Sequence, residues 1–291
     1  MAKRAPRRDG LVLGAHVSAA GGLWTAFDRA EEAGCDCMQI FTKNKGAWAA
    51  PPLTEETVAV FHARAAASRV RPVVVHASYL INVASPGREI REKSIEALRI
   101  ELERCELLGI PHLVFHPGAH LGEGEAAGLR RVAASLDRVH RSTRGSEARI
   151  LLENSAGQGS SLCTSFASLR RVLDRVAAPE RLGVCIDTCH AFAAGHDIRT
   201  TEGLAAMVDE LSGEVGLERV RCIHLNDSKK PLGSRVDRHE HIGKGLLGRA
   251  TFRRILAEPR LRRIPMLFEL PPENDMTRVN LRVLRSLAPK G

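Results

Sequence analysis

The chain of 291 residues lacks any apolar run close to the roughly 18 residues that span a bilayer. Its opening residues, MAKRAPRRDG, are basic and lead into no apolar segment long enough for a secretory signal. Residues 1–10 are therefore expected to form a short disordered tail, residues 11–291 a single catalytic domain, and the protein to be cytoplasmic, with no membrane partner. A disulfide framework is missing as well. The seven cysteines are odd in number and scattered, and in a reducing compartment they are expected as free thiols packed like small apolar side chains. No low-complexity linker separates Gly10 from Pro289, and no G-x-G-x-x-G follows the first apolar run, which argues against a dinucleotide-binding open sheet. Acid is scarce relative to base: 34 Asp and Glu against 43 Lys and Arg give a net charge of +9. That excess suits an anionic partner such as nucleic acid, although an arginine-rich codon bias produces the same balance.

What is present is a repeated beat. Short runs rich in β-branched residues each end on or near a polar or ionisable residue: LVLGAH to His16, CMQIFTKN to Asn44, VVVHAS with His76 and LVFHPG with His116. ILLEN with Glu153, GVCIDT with Asp187, RCIHLND with His224 and PMLFEL with Glu269 complete the series. Such runs, separated by longer helical patterns, read as buried parallel strands. Thr54 is placed to cap a helix whose first turn carries Glu55 and Glu56. Ser94 to Leu108 repeats Ile95, Leu98, Leu102, Cys105 and Leu108 at helical spacing before Gly109 and Pro111 stop it. Asp137–Arg144, Ser165–Val176 and Leu204–Leu211 fill further helical slots. Eight strand–helix units of roughly 25 to 45 residues predict an α/β fold, a (β/α)8 TIM barrel.

A barrel gathers the C-terminal ends of its strands on one face, where barrel enzymes work. His76, His116, Glu153, Asp187, His224 and Glu269 would meet there, supplied by six consecutive strands. Carboxylates and imidazoles crowded into a concave site call for a cation. The mixed nitrogen and oxygen set suits zinc, with manganese or iron as alternatives. His190 follows Asp187 by three, and Asp237 and His239 are two apart, so in an extended loop their side chains share a face. Glu153 is a candidate to bridge two ions, as in two-metal hydrolysis. The stretch GVCIDTCHAFAAGHD also holds Cys185 and Cys189 ahead of His190, one residue away from the C-x-x-C-H of haem attachment. Strand alternation instead sets Cys185 on the side of Asp187, one layer deeper in the barrel.

The stretches GAHVSAAGG, FTKN, HASYLIN, FHPGAH, LLENSAGQG, GVCIDTCH and HLNDSKKPLGSRVDRH, with the Glu269 strand, carry a resemblance. From Leu13 to about Glu269 the chain resembles the endonuclease IV family of abasic-site DNA repair nucleases. The resemblance implies a (β/α)8 barrel with three zinc ions. It places His76, His116 and Glu153 on one ion, and Glu153, Asp187, His224 and Glu269 on the second. His190, Asp237 and His239 would hold the third. It further implies hydrolysis of the phosphodiester 5′ to an abasic site to leave a 3′-hydroxyl, with Glu153 orienting the attacking water, and removal of 3′-blocking groups. The implied partner is duplex DNA carrying such lesions, met by a monomer. Contacts to it fall on Asn44, Lys45, Tyr79 and Leu80, the last two matching the family's inserting loop. His16 is expected to support the site without ligating.

Two positions depart from the family pattern: Gly46 where an inserting arginine is common, and His196 where a tyrosine is expected. His62, His112 and His140 are read as solvated or structural, and His120 and His241 as non-ligands. The rival readings are a metal-dependent sugar isomerase on the same barrel and a non-catalytic DNA-binding barrel. The His190, Asp237 and His239 set and the basic balance argue against the isomerase.

Overall fold

The structure, a computed structural model, describes residues 10–270 and 276–289. The expected tail therefore lies, except for Gly10, outside the described residues. Each apolar run forms a strand. They are β1 (Leu13–His16), β2 (Cys37–Ile40), β3 (Val73–His76), β4 (His112–Phe115), β5 (Arg149–Glu153), β6 (Leu182–Asp187) and β7 (Val220–His224). A small antiparallel ribbon, β8 (Asp227–Ser228) with β9 (His239–Glu240), precedes the last barrel strand, β10 (Met266–Phe268). The eight parallel strands close into a barrel, with β1 paired to both β2 and β10. The fold is the predicted TIM barrel.

The helices that cover it are α1 (Thr25–Ala33), α2 (Glu55–Ala67), α3 (Arg88–Leu107), α4 (Glu125–Ser142), α5 (Phe166–Leu173), α6 (Thr188–Ala194), α7 (Thr201–Glu214), α8 (Gly248–Ala257) and α9 (Met276–Leu287). No helix of the described residues is long and apolar enough to cross a membrane. Thr54 caps α2 as expected, its hydroxyl accepting from the Thr57 N–H at 3.1 Å. The α3 helix starts at Arg88, a turn and a half before Ser94, because its first turns bury nothing and so carry no apolar period. It ends as predicted: Gly109 turns left-handed (φ 63°), and the N–H groups of Gly109 and Ile110 satisfy the carbonyls of Glu106 and Cys105. Asp137–Arg144 proves to be only the end of α4, whose earlier part includes Gly128 packed against Leu162.

Inside the barrel, below the strand ends, Cys37, Val74, Val114, Leu151, Cys185, Cys222 and Leu267 form a closed apolar layer, one residue from each strand except β1. At β1 the position is Gly14, where a Cβ would lie 1.9 Å from the Cys37 carbonyl oxygen. Only glycine lets these strands approach so closely. Cys185 is thus core, as the strand alternation predicted. One irregularity serves the site. A register shift between β6 and β7 lets β7 carry one extra residue, Arg221. Beyond it Cys222 faces Cys185 and His224 faces Asp187.

Candidate metal centre

Six strands deliver a side chain directly to the open end of the barrel. His76, Glu153, Asp187 and His224 are the last residues of β3, β5, β6 and β7, and His116 directly follows β4. Glu269 directly follows β10. His190 arrives differently. Asp187 is the N-cap of α6, its Oδ1 accepting the His190 N–H at 2.8 Å, so the helix starts at the site and turns His190 inward. Beside a cavity of about 770 Å3, which His116, His190, Asp237, His239 and Glu269 line, the structure brings all nine sequence-predicted ligand residues into one cluster.

Within it the donor atoms fall into groups no more than 4.8 Å apart: His76 with His116 and Glu153; Glu153 with Asp187, His224 and Glu269; and Asp187 with His190 and His239. Asp237 joins the last group, 3.1 Å from His190 Nε2 and 3.2 Å from His239 Nε2. Glu153 belongs to two groups. Its Oε2 lies 3.3 Å from His76 Nε2 and 3.6 Å from His116 Nε2, while its Oε1 lies 3.0 Å from His224 Nδ1.

Hydrogen bonds on the far side of four of the five imidazole rings fix which nitrogen faces the carboxylates. His76 Nδ1 donates to the Ala77 carbonyl, His190 Nδ1 to the Asn154 carbonyl and His239 Nδ1 to the Glu269 carbonyl. His224 Nε2 donates to Gln39 Oε1 at 2.9 Å. The opposite nitrogen of each ring then presents a lone pair to carboxylate oxygens, which also hold only lone pairs. His190 Nε2 and His239 Nε2 are buried with no hydrogen-bond partner. A cation resolves this conflict, and imidazole held from behind by an acceptor is the usual geometry of a metal-ligating histidine.

The titration behaviour says the same. Burial opposes ionisation of Glu153, but the charges of His116 and His224, with hydrogen bonds from His224 and His76, hold its carboxyl well below the usual range. Asp237 is held low, against its burial, by His190 and His239. Burial also opposes protonation of His190 and His239, yet Asp187 and then Asp237 raise them to about 10 and about 9. These groups demand positive charge, which metal ions supply in place of protons.

The supporting residues were less visible in the sequence. His16 lies 3.6 Å from Glu269 and 3.0 Å from Gln39, and burial depresses its pKa despite the nearby Glu269. Gln39, fully buried on β2, was not anticipated. Its amide nitrogen donates to Glu269, and its oxygen holds His224. Asp227 was also missed. Its two oxygens accept the N–H groups of Ser228, Gly243, Gly245 and Leu247 at 2.8–3.1 Å, which pins both ends of the loop carrying Asp237 and His239. Gln158 accepts the Asp237 N–H within that loop.

Tyr79 is 54% exposed at the cavity rim, its ring 5.3 Å from His76. Lys45 sits over it and over Phe41, 5.7 and 5.8 Å from the ring centres. Leu80 is half-buried beside Tyr79. Asn44 uses its side chain to accept the Gly46 N–H, which shapes the turn that presents Lys45. His196 stacks on buried Phe166 at 4.9 Å, a packing role away from the ligand groups. His120 and His241 bond to the Gly124 N–H and the Asn280 amide and belong to none of the ligand groups described above. Cys189 approaches Asp237 and His239, but burial drives its thiol pKa up and its sulfur hydrogen bonds to the Arg238 carbonyl.

Comparison with known proteins agrees with this geometry. A family profile described as "Xylose isomerase-like TIM barrel" matches residues 27–287. A probable endonuclease 4 of Chloroflexus aggregans is 51% identical over 277 residues, 94% of this chain and 97% of that protein. The probable endonuclease 4 of Methanoculleus marisnigri is 46% identical, with 96% of this chain and 99% of that protein covered. Among solved structures, endonuclease IV from Thermus thermophilus superposes with a TM-score of 0.84 at 37% identity, covering 94% and 98% of the two chains. A D-tagatose 3-epimerase-like protein also superposes, with a TM-score of 0.71, but at 18% identity that likeness speaks for the barrel alone. Sequence identity this high, over nearly the whole of each relative, decides between the nuclease and isomerase branches of this fold: the chain belongs to the endonuclease IV family of abasic-site DNA repair enzymes.

Proposed function

We propose that the chain incises duplex DNA by hydrolysing the phosphodiester 5′ to an abasic site, leaving a 3′-hydroxyl, and clears 3′-blocking groups by the same attack. In this reading it acts as a cytoplasmic monomer with three zinc ions, some positions accepting manganese or iron. His76, His116 and Glu153 hold the first, Glu153, Asp187, His224 and Glu269 the second, and His190, Asp237 and His239 the third. When bound, such ions lower the pKa of water and neutralise charge on the phosphate. The protein's own contribution is placement. Glu153, reaching both the His76 side and the His224 side, orients the attacking water, and its carboxylate is kept ionised by the imidazoles around it. Tyr79 and Leu80 enter the gap left by the missing base, with Asn44 and Lys45 at the phosphates. Gly46 offers no side chain where the family's inserting arginine is common, and Lys45 beside it keeps its ammonium over the Tyr79 ring, 5.7 Å from the ring centre.

The observation that carries the reading is the two-sided position of Glu153. Glu153→Gln should abolish most incision of a duplex with one abasic analogue while leaving DNA binding measurable. Normal cleavage by that variant would remove Glu153 from the reaction. Chelation should stop the wild-type enzyme, and zinc should restore it; chelator-resistant incision would refute the metal requirement.

A further inference from the structure

The loop that carries Asp237 and His239 contains a backbone turn that its residue does not favour. Arg235 stands at φ 54°, in the left-handed region. Asparagine and aspartate enter that region with help from local hydrogen bonds; arginine has no such compensation. The surrounding contacts enforce the turn. The Gly233 and Arg235 N–H groups donate to the Phe192 and Ala193 carbonyls in the last turn of α6, at 3.1 and 3.0 Å. Two residues further on, Gln158 holds the Asp237 N–H at 3.2 Å. Arg235 turns the chain from the first fastening to the second.

The turn also aims the side chain. The Arg235 stem crosses the loop after β5, its Cδ 3.7 Å from where a Cβ on Gly157 would lie. The next residue of that loop, Gln158, lines the cavity beside the ligand cluster, as does Asp237. Arg235 is exposed, and its guanidinium makes no hydrogen bond, ion pair or ring contact among the described residues. Two neighbours on the same loop are engaged: Lys229 pairs with Glu240 at 3.7 Å, and Arg238 donates to the Asp237 carbonyl. An unpaired surface arginine is ordinary. One held in a strained turn at the edge of a reaction cavity is not, and such strain gathers at ligand clamps. In the ring of eight strands β2 and β6 stand four apart, on opposite sides. Lys45 follows β2 and Arg235 rests on the helix that follows β6, so the two cations flank the mouth from opposite sides.

We propose, on the reading of this chain as a nuclease of abasic duplex DNA, that Arg235 is a phosphate clamp, gripping one backbone phosphate of the bound duplex across the mouth from Lys45. A guanidinium presents a planar fork of donors that matches two phosphate oxygens. The enforced turn sets the direction of the fork before DNA arrives, which lowers the ordering cost of binding. Arg235 belongs to none of the ligand groups, so it contributes affinity and register while the chemistry stays with the metal centre.

The test follows binding of the metal-loaded full chain to a duplex with one abasic analogue over a range of salt. A methylphosphonate replaces the scissile phosphate, so that the duplex resists cleavage. Arg235→Asn removes the charge and suits the left-handed turn. It should raise Kd about tenfold and make the slope of log Kd against log salt shallower by about one, with Tm and metal content as in the wild type. Arg235→Lys keeps the charge and should keep the wild-type slope. Kd and slope unchanged in Arg235→Asn would overturn the proposal. So would loss of affinity accompanied by a lower Tm or lost metal, which would make Arg235 a structural support of the Asp237 loop. Incision of the ordinary phosphodiester duplex is scored separately: a wild type that binds with the expected slopes but cleaves nothing would sink the nuclease reading and leave the clamp standing.

Discussion

Lys43 and Glu101 form a buried ion pair, Nζ to Oε1 at 3.5 Å, with side chains 2% and 1% exposed. The same Glu101 oxygen accepts the Ser78 N–H at 2.9 Å, and the Ser78 hydroxyl donates to the Lys45 carbonyl. One carboxylate on α3 therefore ties together the loop after β2, which carries Lys45, and the loop after β3, which carries Tyr79. Glu101→Gln keeps the size of the side chain but leaves Lys43 buried without its counter-charge, at a cost of about 3 kcal/mol. The expected result is a lower Tm and a KM for abasic duplex raised about tenfold, with kcat retained because the ligand groups are untouched. A fall in kcat at unchanged KM would place the effect in the metal centre.

Gln39, in the middle of β2, reaches the ligand groups from behind and holds both His224 and Glu269. Gln39→Met should therefore weaken metal binding at the His224 and Glu269 group without removing any ligand. Outer partners of this kind typically govern metal affinity by about 10- to 100-fold. Elemental analysis after dialysis against graded chelator should show the variant losing metal earlier than the wild type; identical retention would assign Gln39 to packing.

Asp227 acts through the backbone. Without its carboxylate, the N–H groups of Gly243, Gly245 and Leu247 lose their acceptor and the loop bearing Asp237 and His239 is released. Asp227→Ala should retain the barrel, by circular dichroism, but bind about one metal equivalent fewer. Full metal stoichiometry in this variant would show that the loop holds its shape unaided.

The pH dependence of stability should report His140. The ordinary imidazole value of 6.5 is lowered to about 4 in the fold by burial and Arg181. A base whose folded pKa is depressed stabilises the native state fully above its unfolded value, and that contribution is lost as pH falls towards the folded one. Thermal melts between pH 6.5 and 4 should therefore fall more steeply for the wild type than for His140→Phe. Parallel curves would remove the histidine from the acid limb.

The ligand groups were legible because strand ends are: β-branched runs have fixed limits, and the residue that closes each run must face the barrel mouth. Their supports follow no such period. Gln39 sits in mid-run in CMQIF, where a polar residue reads as an interruption, and its partners are 185 and 230 positions away. Asp227 looks like a loop residue until the chain returns with three N–H groups 16 to 20 residues later. The α6 helix, at seven residues, is too short for a periodic signal, so His190 was placed near the strand end but not on a helix. His140 was read as solvated or structural from its place in a helical segment, and sequence spacing does not reveal that it is buried beside Arg181, from the segment before β6.

The double duty of Asp187 has a consequence for anyone reshaping this protein. One oxygen caps α6 through His190, and the other accepts from Asn226 while facing His239. Exchanging Asp187 is thus not a single-ligand experiment: it also unfastens the start of the helix that aims His190. The ligand group around Glu269 and the one around Asp237 share a hinge, and their contributions will not separate by mutation at that position. Changes at Glu269 or Asp237, whose carboxylates cap no helix, offer cleaner ways to empty one position at a time.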